Sequence, residues 1–140
     1  VEDIGDKYSM GYNLNSIGMV HSDKGDYDKA EENLEKSLSI QKEIGLKEIE
    51  LETTTYLYLV YKHLGKEYDV NEIHSLVKKA EKIEFYLNYA LFKLLENKSY
   101  LETAYNQVQE LANNLEPNIA AKFLSYPIPK AIVEEWEKVK

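Results

Sequence analysis

Two stretches of this chain superpose when one is shifted by 40 residues, and that internal echo limits the fold more than any other feature of the sequence. Ile17, His21 and Gly25 fall on Leu57, Tyr61 and Gly65. Upstream of each glycine runs a helical pattern, Leu14-Ile17-Gly18-His21 in the first stretch and Leu57-Leu59-Val60-Leu64 in the second. Downstream, Ala30-Leu34-Ser37-Ile40 and Ile73-Val77-Ala80-Ile83 repeat at i, i+4, i+7 and i+10, the spacing of one helix face. A third set, Ala104-Val108-Leu111-Leu115 at i, i+4, i+7 and i+11, follows a helix bearing Leu87, Leu91, Leu94 and Leu95. The spacing predicts three helix-turn-helix units over about 7–45, 46–83 and 84–115, with shorter helices over 116–140. No strand is needed, so the expected class is all-α: a solenoid of helical hairpins with C-terminal capping helices.

Turn chemistry agrees with this segmentation. Gly25 and Gly65 suit the left-handed conformation that stops a helix, and Asp26 offers a side-chain acceptor to the amides of the next one. Asp69 with Glu72, and Ser99 with Glu102, have capping-box spacing, so helices are expected to start near 69 and 99, with Ser99 as a cap. Pro117 suits the first turn of a short helix through Leu124, and Tyr126-Pro127-Ile128-Pro129 breaks it before a last helix through Trp136. Between Val70 and Asn97 there is neither glycine nor proline, and Ile73, Leu76, Ala80, Ile83, Leu87, Ala90 and Leu94 keep an unbroken heptad. A turn near Lys82–Phe85 is the expectation, with one continuous helix as the alternative.

Composition narrows the function classes. No run approaches the roughly 18 apolar residues of a membrane-spanning helix, and without cysteine there is no disulfide, thiolate metal site or thiol nucleophile. These features fit the cytoplasm. All 17 basic residues are lysines, which removes the bidentate guanidinium fork from the chain's chemistry. The net charge of -8 is concentrated in residues 1–70, with 15 acids against 8 lysines; residues 71–140 carry 10 against 9. A field of that sign repels phosphate backbones, so neither nucleic acid nor an anionic membrane is expected as a partner. The chain opens Val1-Glu2-Asp3 without an initiator methionine or signal-peptide pattern, and an excised piece of a larger protein is expected.

The first unit resembles the tetratricopeptide repeat family. Leu14-Asn15-Ser16-Ile17-Gly18, Gly25-Asp26-Tyr27-Asp28-Lys29-Ala30 and Ser37-Leu38-Ser39-Ile40 match that motif in their order of small and large positions. Gly18 and Ala30 lack bulk where paired helices approach closely, and Leu14, Ile17 and Leu34 fill the surrounding space. The second unit places Tyr58 where Gly18 stands and adds three residues between Gly65 and Ile73, and the third lacks the glycine stop. Across all units the repeat positions are Leu14, Ile17, Gly18, Gly25, Ala30, Leu34, Leu57, Tyr61, Gly65, Ala80 and Ala104. The 40-residue period is similar to the longer-linker class, and Phe123-Leu124-Ser125-Tyr126-Pro127 resembles the closing helices of arrays in multidomain microbial regulators. The resemblance implies a right-handed superhelix whose first helices line a concave, partner-binding face. Carried onto this chain, that face comprises Tyr12, Asn15 and Met19, then Glu52, Tyr56, Leu59 and Lys62, then Tyr86, Tyr89 and Lys93. The lysine-and-asparagine pattern of carboxylate-clamping family members is not reproduced.

No chemistry of catalysis is apparent in the residues. His21, His63 and His74 have no second histidine at i+3 or i+4, so the helical metal-ligand pairing is missing, and His21 is expected to pack between helices. Glu31, Glu32 and Glu35 beside Lys29 and Lys36 are expected to be a solvated outer face. The 12 tyrosines are expected to be half-buried with hydroxyls reaching water, or to form a recognition surface. The expected function is therefore a non-catalytic scaffold that docks a peptide or protein, with no cofactor and no metal. Alternatives are a ligand-responsive module controlling an effector domain, and an oligomerisation segment acting through the heptad or exposed terminal helices. Residues 117–140 are expected to cap the Ala104–Leu111 face, leaving the outer face of the first helix bare.

Overall fold

A computed structural model of the chain describes residues 4–45 and 47–140, and the side chains of all of these except 4–6, 8, 12 and 48. Among the described residues there are eight α-helices and no strand. In chain order they are α1 (Ile4–Asp23), α2 (Tyr27–Ile44), α3 (Lys47–Leu64), α4 (Val70–Lys79), α5 (Phe85–Leu95), α6 (Lys98–Asn113), α7 (Pro117–Ser125) and α8 (Pro127–Val139). They group into two compact units, Val1–Glu81 and Lys82–Lys140.

In the first unit α2 packs on both α1 and α3, and α4 returns along α3. Each hairpin turn carries a left-handed residue, Gly25 (φ 80°) after α1 and Gly65 (φ 73°) after α3, which frees the chain to reverse in a few residues. Asp26 precedes α2 but makes no side-chain cap hydrogen bond, contrary to the sequence expectation. Its carboxylate is turned instead toward Lys29 at 3.8 Å and His21 at 3.9 Å. Asp69 does cap α4, accepting the Asn71 amide at 3.0 Å, but Glu72 does not complete the box because its carboxylate is bound elsewhere.

Ala30, Leu34, Leu57 and Val60 form the apolar interior, with Gly18 against Leu34 at the α1–α2 crossing. Ile17, expected to fill that space, is 46% exposed. One helical step turns a side chain by about 100°, so with Gly18 facing α2 its predecessor points away. Met10 and Val20 share that exposed side of α1.

The second unit is built on Leu101, Ala104, Val108 and Ile132, all fully buried. Aromatic rings close around them: Phe85 meets Phe123 edge-on at 5.9 Å, and Tyr105 stacks on Trp136 at 5.6 Å. The turn between α5 and α6 lacks glycine, and Glu96 takes the left-handed position itself (φ 55°). Asn97, not Ser99, is the α6 cap; its carboxamide oxygen accepts the Ser99 amide at 3.0 Å and the Ser99 hydroxyl at 2.8 Å. Pro117 opens α7 as expected, and α8 seats Ile132 in the core. Leu111, expected under the C-terminal helices, stays 44% exposed, and no residue of α7 is fully buried.

The heptad from Ile73 to Leu94 does not run as one helix. α4 stops at Lys79 and α5 starts at Phe85, a break that includes the expected turn at Lys82–Phe85. Ala80 and Ile83, expected on the second helix of the middle repeat, lie in that join, with Ala80 as the α4 C-cap.

Candidate functional site

α3 is the helix around which the first unit is arranged, and its sequence shows why. Glu50, Leu51, Thr53, Thr54, Thr55, Leu57, Tyr58 and Val60 are all buried, leaving one lengthwise stripe half open. Glu52, Tyr56 and Leu59 occupy that stripe at i, i+4 and i+7, and Lys62 follows them, exposed. These are the α3 positions anticipated for a partner-binding face. Burial raises the Glu52 carboxyl above its ordinary value, so even this stripe is partly withdrawn from water.

On α1 the anticipated positions behave differently. The Tyr12 side chain lies outside the described residues. Met19 is half-buried. Asn15 is 4% exposed and structural, because its carboxamide oxygen accepts the Thr53 hydroxyl at 2.9 Å. That bond belongs to a buried chain linking three helices. Thr53 and Ser37 spend their protons on Asn15 Oδ1 and the Gly11 carbonyl (2.6 Å), so both hydroxyl oxygens are left to accept the Gln41 amide protons, at 2.9 and 3.0 Å. The directions agree throughout, which orients the Gln41 amide. Gln41 Oε1 and Thr54 Oγ1 are buried without a hydrogen-bond partner among the described residues.

Two of the α3 tyrosines, Tyr58 and Tyr61, are anchored to acids. Tyr58 donates to Glu72 at 2.7 Å and Tyr61 to Glu35 at 2.6 Å. Burial first, and then these carboxylates, push both hydroxyls far above the usual phenol value. Glu35 therefore bonds across to α3 although it is exposed, and Glu31 (16% exposed) receives Lys66 at 2.5 Å. Of the three acids read as a solvated outer face, Glu32 and Glu35 are exposed as expected and Glu31 is half-buried; Glu32 pairs with Lys36 one turn away at 3.0 Å. His63 stacks on Tyr27 at 4.1 Å, His21 sits half-buried near Asp26, and His74 is exposed.

In the second unit Tyr89 packs on the Leu101–Ile132 core, stacked with Phe92 at 6.4 Å and covered by the Lys93 ammonium 4.8 Å from its centroid. Burial, with Glu135 adding to it, raises its hydroxyl. Tyr86 meets Phe85 edge-on at 5.8 Å. Tyr89 is thus half-buried against the core, and an aromatic at a helical core spacing gives no sequence signal that separates packing from recognition.

A cleft of about 250 Å³ escaped the sequence reading. Lys82, Glu84 and Phe85 wall one side; Gln107, Glu110, Leu111 and Asn114 wall the other. It lies at the start of α5, beside the turn expected near Lys82–Phe85, which no glycine or proline marks. Among the described residues no group of three or more His, Asp or Glu side chains could hold a metal ion, and no helix is long and apolar enough to cross a membrane. No family model, curated protein or solved structure matches the chain.

Proposed function

We propose that this chain is a non-catalytic interaction scaffold of the tetratricopeptide type, a cytoplasmic module that docks a peptide or protein segment along the open stripe of α3. One observation carries the reading: between residues 50 and 60 α3 is buried everywhere except at Glu52, Tyr56 and Leu59, which form a half-exposed row with exposed Lys62 beyond them. Such a row offers an aromatic and an aliphatic anchor flanked by one charge of each sign, chemistry suited to an extended or helical peptide. Further support comes from the left-handed residues at Gly25, Gly65 and Glu96, which end the first helix of each of three hairpins as the repeat pattern requires. A superhelical stacking of those hairpins belongs to the same proposal.

The test is a peptide selected from a random display library against the whole chain, titrated while backbone amide shifts are followed. The reading expects shifts at Glu52, Tyr56, Leu59 and Lys62, and Tyr56→Ala with Leu59→Ser should weaken binding by about tenfold or more, or roughly 1.4 kcal/mol, at unchanged helicity. Shifts confined to the exposed Glu32 and Lys36 side of α2 would overturn it. A self-associating segment is the second reading, favoured by the exposed Met10, Ile17 and Val20 of α1. Sedimentation decides that point: a monomer mass at every concentration removes it, whereas a dimer abolished by Ile17→Glu supports it.

A further inference from the structure

The cleft of the second unit is held open by two side-chain amides. The Ile83 carbonyl accepts Gln107 Nε2 at 2.8 Å and Asn88 Nδ2 at 3.2 Å, and Asn88 Nδ2 also donates to Gln107 Oε1 at 2.9 Å. These bonds fasten the Lys82–Phe85 wall to α6, so the cleft is formed in advance of any occupant. Its volume of about 250 Å³ lies below the roughly 300 Å³ at which sites for drug-sized molecules begin, and suits one long side chain. Phe85 and Leu111 give it apolar surface, and Leu111 is 44% exposed.

Its charges do not balance. Lys82 pairs with Glu84 at 3.4 Å on one wall, whereas Glu110 on the other has no hydrogen bond or ion pair from its side chain among the described residues. Residues 99–121 contain no lysine that could reach it from its own helix. Helix polarity adds to the deficit. Each of the other seven helices carries a lysine or histidine in its last turn, where a cation meets the negative end of the dipole. α6 carries none, and its last residues, Glu110 and Leu111, line the cleft together with its C-cap, Asn114.

We propose that this cleft receives an arginine side chain from a partner protein. The stem of the arginine lies along Leu111, its guanidinium plane rests against the Phe85 ring, and its N–H groups donate to the Glu110 carboxylate and the Asn114 carboxamide oxygen. A guanidinium fits better than an ammonium because it joins a planar face for the ring to a fork of donors for the carboxylate. All 17 basic residues of this chain are lysines, so a second copy cannot supply the group and the partner is a different protein. The inference does not rest on the α3 stripe, which belongs to the other unit.

The test titrates the full chain with N-acetyl-arginine amide while backbone amide shifts are followed by NMR. Saturable shifts are expected at Glu84, Phe85, Glu110, Leu111 and Asn114, with a dissociation constant of about 1–10 mM for so small a probe. The matching citrulline amide, which keeps the shape without the charge, and the lysine amide should each bind about threefold or more weakly. Glu110→Gln, at an exposed position, should weaken the arginine probe by about threefold or more and leave amides outside the cleft unshifted. Shifts that do not saturate and spread over the acidic surface overturn the proposal. So does equal binding of the citrulline or lysine amide, or an unchanged affinity in Glu110→Gln. Free arginine binding more tightly than the capped probe would replace the partner side chain by a free amino acid. The amides of Glu52, Tyr56, Leu59 and Lys62 report on the docking reading separately, so the failure of one leaves the other standing.

Discussion

A methyl group added to Gly18 would stand 2.6 Å from Leu34 Cγ, a branch carbon of a side chain with no exposed surface. The distance is shorter than any relaxed contact between carbons, and Leu34 cannot swing aside because the interior around it is filled. The α1–α2 hairpin is therefore held at a separation that only glycine permits.

Gly18→Ala is expected to lower stability by about 1–2 kcal/mol even though alanine is the better helix former by up to roughly 1 kcal/mol. Leu34→Ala alone should cost about 2–5 kcal/mol through the cavity it leaves. In a double-mutant cycle by urea unfolding the two losses should add to less than their sum, because each relieves the other's defect. Strict additivity would mean that the two residues do not touch.

Adjacent threonines on α3 should respond in opposite directions. Thr53 donates to Asn15 and accepts from Gln41, so Thr53→Val strands two buried groups and should cost about 1–3 kcal/mol. Thr54 is equally buried, yet its hydroxyl has no partner among the described residues. Thr54→Val removes an unpaired polar atom at constant shape and should raise stability by about 1 kcal/mol. Equal effects from the two changes would contradict the network.

Glu52 sets a pH dependence of a definite sign. Burial raises its folded-state carboxyl above the ordinary value of 4.5, so the unfolded chain holds fewer protons across the interval between the two values. Its contribution is most favourable in acid, falls as pH rises through that interval and stays low at neutrality. Glu52→Gln should therefore stabilise the chain at neutral pH, with the gain vanishing in acid; the pair of urea midpoints reads it directly. A midpoint gain that is independent of pH would show that the carboxyl is not the cause.

At the start of α6 the capping roles are separable. Asn97→Ala should cost about 0.5–2 kcal/mol, because the Ser99 amide loses its acceptor. Ser99→Ala removes only a hydroxyl already facing that same acceptor and should stay within about 0.5 kcal/mol. A larger loss at Ser99 would reinstate it as the cap in thermal melts of the two variants.

Periodicity and turn chemistry alone specify an all-helical chain, the reversals at Gly25 and Gly65 and the start at Pro117, because each depends on residues within a turn or two of one another. Helix geometry puts Glu52, Tyr56 and Leu59 on one face at any helix position, but it was the family resemblance, not local periodicity, that singled that face out. Choices between equivalent local options were made by packing. Asn97 and Ser99 both suit a cap, and register against the α6 core selects Asn97. Asn15 and Tyr89 have the residue types of a binding face, yet partners distant in sequence engage them: Thr53 takes Asn15 inside, and the Leu101–Ile132 cluster half-buries Tyr89. The break at 80–84 is the clearest case. The repeat spacing places a turn there, yet nothing within those five residues opposes a helix, and the amides that take the Ile83 carbonyl come from Asn88, five positions away, and Gln107, 24 positions away.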